Sequence, residues 1–140
     1  YSKFKIFSES FFKDNKNTII RLGSIIGKDM RNNTIKKILF DKDPSLFLNK
    51  KSLYSFITYE EIFDFIVICQ IKKLKGTYNL LRTDYKSLDE IVSKVFKNKN
   101  IKYGKKTFKV IKASNKKLKK YLKISKSSTN VIKEFYNNYK

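Results

Sequence analysis

Two copies of one spacing bracket the middle of the chain: Thr58 with Glu61, and Ser87 with Glu90. A Ser or Thr three residues ahead of a Glu lets each side chain take the other's unpaired backbone N–H, so each pair predicts a helix start. Ile62, Ile66 and Cys69 continue one face of the first helix, with Gly76 as its C-cap, and Leu88, Ile91, Val92 and Val95 form the buried face of the second. Between them GTYNLL, 76–81, reads as a short strand. Helix, strand and capped helix in quick succession restrict the chain to folds in which the two element types alternate.

The remainder fits that alternation. Phe4, Phe7 and Phe11 recur at three and four, which predicts a helix over 1–12. TIIRLGSII, 18–26, is rich in β-branched residues and ends at Gly27, as a buried strand feeding the polar loop 27–33 would. A short helix over 34–40 is stopped by Asp43-Pro44, because the residue before proline is pushed out of the helical region. Extended chain follows over 45–57, TFKVIKA (107–113) alternates as a strand, and NKKLKKYL (115–122) reads as a basic helical turn. The last helix, 128–139, points Val131, Ile132, Phe135 and Tyr136 inward. The fold class expected is α/β with parallel pairing, in one domain without repeats.

Composition narrows the chemistry. There is no histidine and one cysteine, Cys69, which reads as a buried structural thiol; a metal site would rest on carboxylates alone, and no ligand spacing points to one, so none is expected. The most apolar run, 62–71, is shorter than a membrane span and flanked by charge, so no membrane partner is expected, and absence of a disulfide suits a cytoplasmic protein. The first residue is Tyr1, with no signal-peptide pattern behind it, and the natural chain is expected to begin further upstream.

The net charge of +21 raises the alternative of a basic nucleic-acid or anion-binding module, built on Lys112, Lys116, Lys117, Lys119, Lys120 and Lys123 around Tyr121. Only Arg21, Arg31 and Arg82 among the 33 basic residues are arginine, however, and lysines are spread over nearly every element. Leu118 and Leu122 explain the segment as a solvated amphipathic turn, so no nucleic-acid partner is expected.

Tyr1 and Lys5 lie four apart on the first helix and project from one face. An ammonium beside a phenol favours the phenolate and makes tyrosine an acid/base near neutral pH. Tyr136 and Lys140 repeat the spacing, which by itself does not choose between the two pairs.

The order of the segments downstream of Lys5 does choose. YSKFKIFSE, IIRLGSIIGKDM, SFITYEEIFDFI and GTYNLLRTDYKSLDEIVSKV together resemble the Y-x-x-x-K helix, the strand ending in Tyr-Gly-Pro, the D-F-I-x-V-D-D segment and the G-x-Y-N-[IL] strand with its S-L-x-E helix of the extended short-chain dehydrogenase/reductases, the NAD-dependent epimerase/dehydratase family. The resemblance covers essentially the whole chain. It implies that 1–140 is a single partial domain, the end of a Rossmann-type NAD(P)-binding sheet with the small substrate-binding lobe, and that the glycine-rich half is absent. None of Gly23, Gly27, Gly76 and Gly104 falls in a pyrophosphate-cradling G-x-G-x-x-G.

By the same resemblance Tyr1 is the catalytic acid/base, Lys5 tunes it and binds the nicotinamide ribose, Leu22 and Gly23 pass under the nicotinamide, and Ser24 and Tyr54 face the substrate. NAD or NADP is the implied cofactor of the full-length protein, a nucleotide sugar the implied substrate, epimerisation, dehydration or reduction the implied reaction, and a homodimer is compatible with it. The half alone is not expected to turn over. Two departures stand out. Ile26-Gly27-Lys28 replaces Tyr-Gly-Pro, and Tyr54-Ser55-Phe56 replaces an Arg-Asp-aromatic triplet, where a tyrosine cannot make the arginine's bidentate contact to a diphosphate.

Overall fold

The computed structural model describes residues 2–12, 16–96, 99–108, 110 and 112–139. Its helices are α1 (Ser2–Ser10), α2 (Thr34–Phe40), α3 (Tyr59–Ile71), α4 (Leu88–Val95) and α5 (Ser128–Asn138). Its strands are β1 (Thr18–Leu22), β2 (Ser24–Ile26), β3 (Leu53–Tyr54), β4 (Phe56–Thr58), β5 (Gly76–Leu80) and β6 (Lys86–Ser87). β1 runs parallel to β5 and β2 parallel to β4, so the architecture is α/β with parallel pairing, while β3 and β6 form a short antiparallel pair.

The single strand predicted over 18–26 is two strands with different partners. Gly23 N–H donates to the Leu80 carbonyl at 3.0 Å, and the next residue, Ser24, donates to the Ser55 carbonyl at 2.7 Å. A Cβ on Gly23 would stand 3.0 Å from the Ser55 oxygen and 3.2 Å from Leu81 Cβ, so the crossing from one pair to the other has little room for a side chain.

Both capping boxes form. Thr58 N–H donates to Glu61 Oε2 at 3.0 Å while Glu61 N–H donates to Thr58 Oγ1 at 3.2 Å; at Ser87 and Glu90 the corresponding distances are 2.8 and 3.1 Å. The far end of α3 differs from expectation. Leu74 N–H donates to Cys69 O at 3.0 Å and Lys73 N–H to Gln70 O at 3.3 Å, a Schellman ending in which Lys73, at φ 49°, takes the left-handed position. Gly76, at φ 95°, opens β5 instead.

Among its described residues, 107–113 forms no strand, because its backbone groups go to loop atoms. Phe108 N–H donates to Ser52 Oγ and Ala113 N–H to Tyr85 Oη, each at 2.9 Å. The basic segment 115–122 contracts to one 3₁₀ turn, Leu118–Lys120.

Two apolar clusters hold these elements. In the first, Ile35 and Ile38 of α2, Leu88 and Ile91 of α4, and Val131, Ile132 and Phe135 of α5 close around Ile26 and Phe56. The second joins Phe65 of α3 to Tyr78 and Leu80 of β5, Ile57 of β4 and Leu118, with Ile20 and Ile62 packed against it. Each fully buried Leu, Ile or Phe contributes about 1.5–3 kcal/mol relative to exposure. Neither cluster includes α1, whose Phe4 and Phe7 are 77 and 61 % exposed, or Phe11 just after it, at 66 %.

Candidate active site

The periodicity that makes α1 a helix places Lys5, Ser8 and Glu9 on the side lining an open cleft of about 1430 Å³. The opposite wall is β1, with Ile19, Arg21, Leu22 and Gly23; Met30, Arg31, Asn33 and Tyr59 close one end. Arg21 ties the walls together. Its Nε donates to Glu9 Oε2 at 3.0 Å and its Nη2 to Glu9 Oε1, and this hydrogen-bonded carboxylate pushes the guanidinium pKa further up.

The structure therefore brings Lys5, Leu22 and Gly23 into one cleft. Tyr1 lies outside the described residues. Ser24 is half-buried between Gly23 and Ile25, both of which line the cleft, but does not line it itself. Tyr54 is placed in the core: its ring stacks on Phe56 at 5.8 Å and 5°, and it is 9 % exposed. Burial pushes its phenol pKa up, and a hydrogen bond with Thr34 offsets part of that. It is not among the cleft residues.

Sequence reasoning passed over two residues of the cleft, Tyr59 and Arg31, and a buried clasp outside it, Arg82. Tyr59 lines the cleft and covers Gly27 so closely that a Cβ there would fall 2.1 Å from the ring. Arg31 lines the same cleft, and its only sequence signal is that it is one of three arginines. Arg82 is 3 % exposed and acts as a clasp: its guanidinium donates to Phe56 O at 2.8 Å, to Lys126 O at 2.7 Å and to both oxygens of Glu61, at 3.0 and 2.5 Å. The same Glu61 closes the α3 capping box, so one carboxylate fixes the helix start, and Arg82 anchors β4 and the turn before α5 to it. A Glu at the third helical position was the available clue.

No protein-family model and no curated protein matches the chain. Solved structures do. The UDP-glucuronic acid 4-epimerase from Bacillus cereus, in complex with UDP-glucuronic acid and NAD, superposes with a TM-score of 0.73 at 18 % identity, over 95 % of this chain and 48 % of that one. The chain carries the fold of the C-terminal portion of the NAD-dependent epimerases and dehydratases. TunA, an NAD-dependent NDP-hexosamine 5,6-dehydratase, matches with a TM-score of 0.70 at 8 % identity over 96 % of this chain and 51 % of its own. The UDP-glucose 4-epimerase of Thermus thermophilus, in complex with NAD, gives 0.67 at 11 %, over 99 % and 50 %. The chain thus spans about half the length of the epimerases and dehydratases it matches.

Leu118 is fully buried and Leu122 packs beside it, so the lysines around them form the solvent side of a packed turn. Among the described residues no group of three His, Cys, Asp or Glu could hold a metal ion, and no helix is long and apolar enough to cross a membrane. Cys69, expected to be buried, is half-buried, and desolvation pushes its thiol pKa up.

Proposed function

We propose that this chain is the substrate-side half of an NAD(P)-dependent enzyme that epimerises, dehydrates or reduces a nucleotide sugar, working in the cytoplasm. The observation that carries this reading is the convergence of Lys5, Leu22 and Gly23 on one cleft within a fold shared with such enzymes.

The residues present suit one end of the cofactor. Lys5 supplies a cation and up to three donors for the ribose hydroxyls, and Gly23 presents backbone without a side chain at the cleft wall. The pyrophosphate end has no glycine-rich turn in this sequence and is assigned to the other half. When bound, the nicotinamide supplies hydride exchange with a carbinol carbon of the substrate. The chain's own contribution is the proton: Tyr1 takes it from, or returns it to, the substrate hydroxyl, and the Lys5 ammonium stabilises the phenolate. Ser24, the residue after Gly23, is assigned to the substrate side on the family resemblance alone. Tyr54, stacked on Phe56 in the core and hydrogen-bonded with Thr34, has no part in the cleft.

The test uses the complete enzyme and follows NADH binding by fluorescence together with turnover of a UDP-sugar. Lys5→Ala should weaken cofactor binding at least tenfold, whereas Tyr1→Phe should keep binding and lower kcat by about 10²–10⁴. Full turnover by Tyr1→Phe would overturn the assignment.

A further inference from the structure

Helix α1 belongs to neither apolar cluster, yet it carries Lys5. A polar contact fastens it to the sheet. In the parallel ladder Gly23 N–H bonds to Leu80 O and Gly76 N–H to Asn17 O, so Ile19 and Arg21 turn their backbone groups toward β5, and Ile20 and Leu22 turn theirs away. The Arg21 side chain therefore starts from a backbone held in the ladder. Its Nε and Nη2 reach across the cleft to the two oxygens of Glu9, Nε at 3.0 Å. Two parallel donors into one carboxylate fix direction as well as distance.

Stability does not account for this pair. The Arg21 side chain is 55 % exposed, and solvent screens such an ion pair to a small net effect on folding. Glu9 also stands in the last turn of α1, where the negative end of the helix dipole disfavours a carboxylate. Register does account for it. Lys5 lies four residues before Glu9, about 6 Å along α1. Gly23 lies two residues after Arg21, about 6.6 Å along β1 and its continuation, so the two steps nearly match. Pinning Glu9 on Arg21 sets how Lys5 stands relative to Gly23 in the cleft that both line.

From this geometry we infer that Arg21 is a positioning residue: through Glu9 it holds α1 on β1 at the register that presents the Lys5 ammonium to the nicotinamide ribose and to Tyr1. In this role Arg21 touches neither cofactor nor substrate, since Nε and Nη2 are both given to Glu9. The chemistry of Lys5 is that of the proposed function, on which this role rests, whereas the fastening of α1 does not depend on it.

The test uses the complete enzyme and reads amide exchange of α1, NADH affinity, and kcat against KM for a UDP-sugar. Arg21→Met should speed exchange in α1 about threefold with α5 unchanged. It should also lower NADH affinity and kcat about tenfold at unaltered sugar KM. Glu9→Gln should do the same, and exchanging the charges, Arg21→Glu with Glu9→Arg, should bring each value back toward that of the parent. In a Lys5→Ala background Arg21→Met should have no further effect on NADH affinity, because both changes act through one ammonium. Parental α1 exchange in Arg21→Met would overturn the inference, as would an effect on NADH affinity that multiplies with that of Lys5→Ala. So would a raised sugar KM with unaltered NADH affinity, which would give the arginine to the substrate. Normal NADH binding and turnover in Lys5→Ala would fail the enzymatic reading instead, and α1 exchange in Arg21→Met would still decide the fastening.

Discussion

The two sides of the β1–β5 pair have opposite characters. On the β5 side, Asn79 Nδ2 donates to Ser114 O at 2.8 Å, Asn115 Nδ2 donates to Leu81 O at 2.9 Å, and Leu118 is buried against Tyr78 and Leu80. The buried Asn115 amide takes up the Leu81 carbonyl, which would otherwise lose water unpaired. On the β1 side no further strand pairs with the edge among the described residues, and α1 with the turn after it leaves Phe4, Phe7 and Phe11 in solvent. One side is finished with polar clamps and a packed leucine; the other presents apolar surface and unpaired backbone. The difference teaches that the chain's stability is concentrated away from the very cleft that Lys5, Leu22 and Gly23 line.

Substitutions can break or sharpen that contrast. Arg82→Ala on the finished side leaves the Glu61 carboxylate without its partner and the Phe56 and Lys126 carbonyls without a donor, and should cost about 3–5 kcal/mol in denaturant unfolding. Leu118→Ala should cost about 2–5 kcal/mol by the cavity it opens beneath the lysine-rich turn. Lys73→Gly relieves a left-handed backbone position and should raise stability by about 0.5–1 kcal/mol, read as a higher melting temperature. Phe7→Ser on α1 should change stability by no more than about 0.5 kcal/mol, since the ring meets Phe11 but lies outside both core clusters. A loss of several kcal/mol at Phe7 would mean that α1 is held as firmly as α5.

Much of this was legible in the residues. The two capping boxes and the apolar positions of α4 and α5 carry their own local physics, so Leu88, Ile91, Val131, Ile132 and Phe135 lie buried as their periodicity requires. The α/β class followed from the same alternation. What failed was set by distant partners. The change of partner at Gly23 depends on Ser55 and Leu80, far along the chain, and TFKVIKA lacks a strand among its described residues because Ser52 and Tyr85 take its amides. Gly76 looked like a helix cap, yet Lys73 takes that position three residues earlier.

The candidate site divides the same way. Lys5, Leu22 and Gly23 line one cleft, whereas Tyr54 is held in the core by stacking on Phe56. Arg82 was invisible as a clasp because nothing in NLLRTD reveals that Glu61, Phe56 and Lys126 surround it.

Amide hydrogen exchange on the 140-residue chain tests the contrast most directly, because exchange reads local opening free energy residue by residue. The account predicts the slowest exchange in α4, α5 and β5 and fast exchange in α1 and at Ile20 and Leu22. Equal protection at Ile20, Leu22 and the α5 amides would contradict it.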